Sequence, residues 1–157
     1  SLRLKTPIQM LQRSWVLCVI LRLYKLNHAI IKWYQNLNKP SWAPQESVFG
    51  TVWSILYPII FVVNAYIIYL FVQNKITLMV ALPFWLNLIF NFLFTPVQFG
   101  LKNNALAFVV ILLVLITIVW AMVAIWPHAK IVSIAFVPYL IWVSIATALQ
   151  LSITLKN

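Results

Sequence analysis

Acid is nearly absent from this chain. Glu46 is the single carboxylate side chain among 157 residues, and charged residues make up 8% of the total. An ordinary soluble domain carries about a quarter. So few charges cannot keep a surface solvated, so most side chains must face lipid or other apolar helices. The same scarcity excludes chemistry: paired-carboxylate catalysis, a carboxylate proton relay and an acid-rich cation site all require more than one acid. Cysteine is equally scarce. Cys18 alone excludes an intrachain disulfide, and with only His28 and His128 beside it no zinc cluster can form. The redox state of the compartment is not written in the sequence.

What is present is apolar surface. Hydrophobic residues account for 64% of the chain, and the mean hydropathy is +1.00. Residues 1–157 therefore read as one integral membrane domain. The formal charge of +10 invites a nucleic-acid reading, but that needs cations gathered on one solvated face. Here they stand mostly singly between apolar runs, as residues that snorkel toward headgroups do. No nucleic-acid partner is expected; the lipid bilayer is.

A hydrocarbon core about 30 Å thick needs about 20 apolar residues per helix. Four stretches meet this directly, at 48–72, 76–99, 105–126 and 131–155. They are apolar on every face and too long for barrel strands, so the fold class is an all-α membrane bundle. The linkers are short, which makes consecutive helices antiparallel neighbours. Pro58, Pro83, Pro96 and Pro138 fall inside spans and should each free a backbone carbonyl. The segment 9–31 has an apolar core interrupted by Arg13, Arg22, Lys25 and His28. Arg22, Lys25, His28 and Lys32 share an arc of roughly 120°. This stretch reads as a fifth span with an inward basic face, or as an amphipathic interfacial helix. With five spans, the two membrane faces would carry Arg3, Lys5, Arg13, Lys75 and Lys130 against Lys32, Lys39, Lys102 and Lys156, which gives no orientation.

Polar residues inside spans mark inward faces. Glu46, Gly50, Trp53, Tyr57 and Asn64 lie within about 60° of one another by helical projection. Asn87, Asn91, Thr95 and Gln98 form a stripe about 80° wide, and Tyr139, Trp142, Ala146 and Gln150 form another. These faces should meet. One reading is interhelical glue, the explanation expected for Asn64 and Thr95. The other is a cavity walled by Trp53, Tyr57 and Trp142 with Asn87 and Asn91 as its polar fixings. The loop 33–44, with two prolines and three aromatics, reads as an interfacial anchor or as a lid over one end of the bundle.

That loop carries Trp33, Tyr34, Leu37, Lys39, Pro40, Trp42 and Pro44, followed by Val48, Phe49, Gly50, Trp53, Leu56 and Tyr57. Further on come Asn87, Phe90, Asn91, Thr95 and Pro96, then Phe99 and Gly100, then Phe136, Pro138, Tyr139 and Trp142. In this order and spacing they resemble the signature of the TspO/MBR family, the tryptophan-rich sensory proteins. The resemblance implies a five-transmembrane-helix bundle with a ligand cavity beneath the loop joining the first two helices. It implies binding of tetrapyrroles (porphyrin, haem) as ligands with no required cofactor, sterols in some lineages, and a homodimer in the bacterial inner membrane or an organelle membrane such as the mitochondrial outer membrane. Carried over by motif, the ligand-binding residues are Tyr34, Trp42, Trp53, Tyr57, Asn87, Phe90, Asn91, Trp142 and Ala146.

Lys39, with Arg22 and Lys25 if the first helix turns inward, could meet porphyrin propionates. Iron ligation by His28 or His128 is disfavoured because both lie near span ends. The sterol pattern is absent from its usual place after Leu149; a formal match runs through Val63, Tyr69 and Lys75. The leading expectation is a tetrapyrrole receptor or sensor. Translocation of porphyrin or sterol and light-dependent porphyrin degradation are the alternatives, the last needing only indoles beside the ring.

Overall fold

A computed structural model describes Arg22, Lys25 and residues 28–157. Most of the expected first span, 9–31, lies outside the described residues, as do Arg13 and Cys18. Two compact units are present, 1–37 and 38–157. In the first, residues 28–35 are helical, and Asn36 N–H closes the helix on the Lys32 and Trp33 carbonyls at 3.2 Å each.

The second unit holds α1 (Glu46–Val72), α2 (Leu78–Thr95), α3 (Asn104–Ile125), α4 (Lys130–Ala135) and α5 (Val137–Lys156). A single π-helical stretch, Pro96–Gly100, extends α2. No strand occurs among the described residues. Four stretches are long and apolar enough to cross a membrane: Glu46–Val72, Leu78–Gly100, Asn104–Ile125 and Lys130–Lys156. Each begins and ends within about two residues of the span read from hydropathy.

The prolines act differently. Pro58 and Pro83 are absorbed within continuous helices. Pro96 opens the π-helical stretch, and Leu101 N–H donates back to its carbonyl at 3.0 Å. Pro138 coincides with a break. Having no N–H, it cannot bond the Ile134 carbonyl, and the helix is interrupted at Phe136 before α5 resumes. Phe136 N–H is shared between the Val132 and Ser133 carbonyls at 3.2 Å each.

The turns are as short as the linkers implied. After α1 the chain reverses through Asn74 at φ 55°, a left-handed conformation that asparagine tolerates. Asn103 caps α3 by accepting from Leu106 N–H at 3.0 Å.

The α3 helix is the hub, packing most extensively on α2 and α5. It buries Ala107, Val110, Ile111, Val114, Thr117, Ile118, Ala121 and Ile125, a stripe spaced three and four residues apart. Ala107 and Ala121 have no exposed surface, so helix backbones come close where hydrocarbon supplies no hydrophobic drive. The opposite side, with Val109, Ile116, Val119 and Val123, is exposed for lipid.

Candidate functional site

The inward faces of α1, α2 and α5 meet, and α3 supports them from behind. Along α1, Phe49, Trp53 and Tyr57 recur at four-residue spacing and so stand on one face. Trp53 stacks on Tyr57, with centroids 5.1 Å apart and planes at 29°. Its other contact is edge-on, to Tyr139 of α5 at 6.3 Å and 71°. One turn earlier, Phe49 meets Trp142 of α5 edge-on at 5.2 Å and 72°. Phe136 continues the cluster, T-shaped against Tyr139 at 5.4 Å. Two elements that share no turn are thus joined by offset and edge-to-face aromatic pairs, the arrangement the ring quadrupole favours.

Beneath this wall runs one chain of hydrogen bonds through all four spans. Tyr57 Oη donates to Asn91 Oδ1 at 3.5 Å, at the long limit. Asn91 Nδ2 donates to Tyr139 Oη at 2.7 Å, and Tyr139 Oη donates to Asn87 Oδ1 at 3.0 Å. Asn87 Nδ2 then donates to Thr117 Oγ1 at 3.0 Å and to the Val114 carbonyl at 3.1 Å. Asn87 has no exposed surface, and its amide and carbonyl are all engaged within the bundle. In the structure it is interhelical glue that fixes Tyr139. Asn91 lies nearer the aromatic wall and is also buried.

Trp142 is different. It is 8% exposed, and its Nε1–H finds no acceptor among the described residues. A buried donor left without a partner costs about 1–3 kcal/mol, so an orphan of this kind asks for an explanation. It stands beside Phe49 in the aromatic wall with a donor that no described residue takes up.

Other expected residues are placed as follows. Phe90 and Ala146 are half-buried, packed against the core cluster. Tyr34 is half-buried in the first unit, where Arg22 and Lys25 are exposed. Trp42 is exposed in the turn of the loop, whereas Pro40 is buried. Lys39 Nζ lies 3.9 Å from Glu46 Oε1, so the sole acid of the chain faces the loop cation expected to meet propionates. Both groups are partly solvated and the distance is long. Glu46→Gln is therefore expected to change the unfolding free energy by less than about 1 kcal/mol, a shift thermal melting in detergent can bound.

The loop is fastened elsewhere. Asn38 N–H donates to Asn157 Oδ1 at 3.1 Å, and Asn157 Nδ2 donates to the Asn38 carbonyl at 3.2 Å. Two residues expected as glue are not. Asn64 Nδ2 donates to the Ile60 carbonyl of its own helix at 2.8 Å, the local alternative open to a short amide. Thr95 is exposed, because it lies about 80° from Asn87 at the edge of its stripe.

Phe49, Thr117 and Tyr139 were missing from the list read from sequence. Thr117 had a signal: it is the one hydroxyl in α3, and a lone polar group in an apolar span needs a partner. Tyr139 stood in the inward stripe but could not be ranked above its neighbours. Phe49, an ordinary apolar residue, had no signal beyond its spacing from Trp53.

Comparison with known proteins agrees with this architecture. A model of the TspO/MBR family matches residues 14–155. The chain is 34% identical to Protein CrtK of Rhodobacter capsulatus over 126 residues, covering 80% of this chain and 78% of that protein. It is 36% identical to the Tryptophan-rich sensory protein of Cereibacter sphaeroides over 120 residues, covering 76% and 73% respectively. The human Translocator protein is 28% identical over 130 residues, covering 81% and 76%. Aromatic wall, apolar spans and sequence relatives agree: this chain is an integral membrane protein of the TspO/MBR family.

Proposed function

We propose that this protein is a membrane sensor or translocator that binds a flat, largely apolar tetrapyrrole, porphyrin or haem, against the aromatic wall of Phe49, Trp53, Tyr57 and Trp142. The observation that carries the reading is the orphaned Nε1–H of Trp142 within that wall. Stacked rings bury the macrocycle's area, and a buried N–H offers the acceptor-bearing edge of the ligand a fixed point. Trp42 contributes from the loop side. Asn91, Phe90 and Ala146 shape the pocket walls. Lys39 serves the propionates as a charge-assisted donor. The protein acts as a homodimer.

The relatives' names, a sensory protein and a translocator protein, support both sensing and movement of the ligand. Chemistry driven by light is a further reading, favoured by the indoles of Trp53 and Trp142 on adjacent turns of the wall.

Titration of the purified chain with protoporphyrin, followed by absorbance in the dark, tests the proposal. Saturable binding that cholesterol does not displace supports it, and the absence of saturation refutes it. Illumination then separates the readings. A stable bound spectrum indicates a receptor, loss of the porphyrin bands indicates degradation, and flux into proteoliposomes indicates transport.

A further inference from the structure

A concavity lies away from the aromatic wall, on the lipid-exposed side of α3. Its lining is Val119, Met122, Val123 and Trp126 on α3 and the turn after it, with Ser133 of α4 and Leu140 of α5. The α3 residues fall at three- and four-residue spacing, so they form one strip running about 10 Å along the helix. Ser133 contributes no free hydroxyl, since its Oγ donates to the Met122 carbonyl at 3.1 Å. The floor is therefore apolar. The groove holds about 380 Å³, room for roughly a dozen groups of water's size. That suits a stretch of acyl chain.

A cation stands just beyond the lining. At the turn after α3 the Nζ of Lys130 lies 5.6 Å from the ring of Trp126, which lines the groove. An exposed ammonium held over an indole keeps a fixed place at the rim. No acid offsets it there, because Glu46 begins α1 and three antiparallel spans later the turn lies at the opposite membrane face. The order of features, cation at the surface and apolar trough toward mid-bilayer, matches that of a phospholipid with an anionic headgroup.

We propose that this groove is a specific site for an anionic phospholipid of the surrounding bilayer, one acyl chain lying along Val119, Met122, Val123 and Trp126 and the phosphate end meeting Lys130. Lys75 provides an internal control. Its Nζ also lies 5.6 Å from an aromatic ring, that of Tyr69, and its turn is on the same membrane face, but Tyr69, unlike Trp126, does not line the groove.

Native mass spectrometry of the full delipidated chain, titrated with phosphatidylglycerol and with phosphatidylcholine of identical chains, tests the site. The unmodified chain should take up the first phosphatidylglycerol about fivefold more readily than phosphatidylcholine, the preference one interfacial cation provides. Lys130→Gln should abolish that preference and Lys130→Arg should keep it, while Lys75→Gln leaves it in place. Val123 is 69% exposed, so Val123→Trp fills the groove without entering the core and should reduce first-adduct uptake of both lipids. Equal losses in Lys130→Gln and Lys75→Gln would reduce the effect to general charge and overturn the proposal. So would undiminished uptake by Val123→Trp, or a change of that variant to a different oligomeric state with lipid uptake intact.

Discussion

Trp53→Ala is expected to weaken protoporphyrin binding by about thirtyfold or more. The substitution removes the central indole of the wall, which stacks on Tyr57 and meets Tyr139 edge-on. Aromatic anchors in desolvated sites commonly contribute about 2 kcal/mol or more, and each 1.4 kcal/mol is about tenfold in affinity. Stability should fall less than for a wholly buried aromatic, since Trp53 is only half-buried. Dark titrations set beside thermal melts distinguish the two effects. Affinity that survives Trp53→Ala would place the ligand elsewhere.

Asn87→Leu is expected to have the largest effect on stability, about 2–4 kcal/mol. Leucine nearly matches the volume, so the cost is the hydrogen bonding. Asn87 joins α2 to α3 through Thr117 and the Val114 carbonyl, and to α5 through Tyr139. Each such bond across membrane helices contributes roughly 0.6–2 kcal/mol, and the Tyr139 hydroxyl would lose its acceptor at a cost of about 1–3 kcal/mol. Thr117 would not be stranded, because it still donates to the Leu113 and Val114 carbonyls at 2.8 and 2.9 Å. Its bonds put a ceiling on the loss. Unfolding of detergent-solubilised protein with increasing denaturing detergent measures the difference, and Tyr139→Phe should cost less in the Asn87→Leu background than alone, because only the bond from Asn91 Nδ2 is then left to lose. Full additivity of the two changes would show that the chain of hydrogen bonds is not a unit.

The hydrogen bonds of Asn87 and Asn91 also show what a sequence of this kind reveals. Hydropathy located four spans nearly to the residue, because a membrane sets both the length and the apolarity of what crosses it. Periodicity put Trp53, Tyr57, Asn87, Asn91, Tyr139 and Trp142 on inward faces, and they do converge. It could not say whether an inward amide holds helices together or serves a cavity, since both uses require the same residue on the same face. The buried stripe of α3 was illegible for a related reason. Lipid and protein core select the same side chains, so an evenly apolar helix carries no mark of its packed side. Thr117 was its one exception.

Local backbone events were legible only in part. Pro138 marked the break at Phe136, yet Pro58 and Pro83 left their helices continuous. The outcome depends on whether neighbours can satisfy the freed carbonyl, which is tertiary information. Asn64 makes the same point, because its amide found an acceptor one turn back and never reached across.

The account rests on Trp142 offering its indole N–H to a ligand. Trp142→Phe keeps an aromatic ring against Phe49 and deletes only that donor and the second ring of the indole. Its protoporphyrin affinity should fall by about tenfold, the worth of one hydrogen bond to an acceptor, with the thermal midpoint within a few degrees of the parent. An unchanged isotherm would contradict the assignment of this indole, and with it the placement of the tetrapyrrole against the wall.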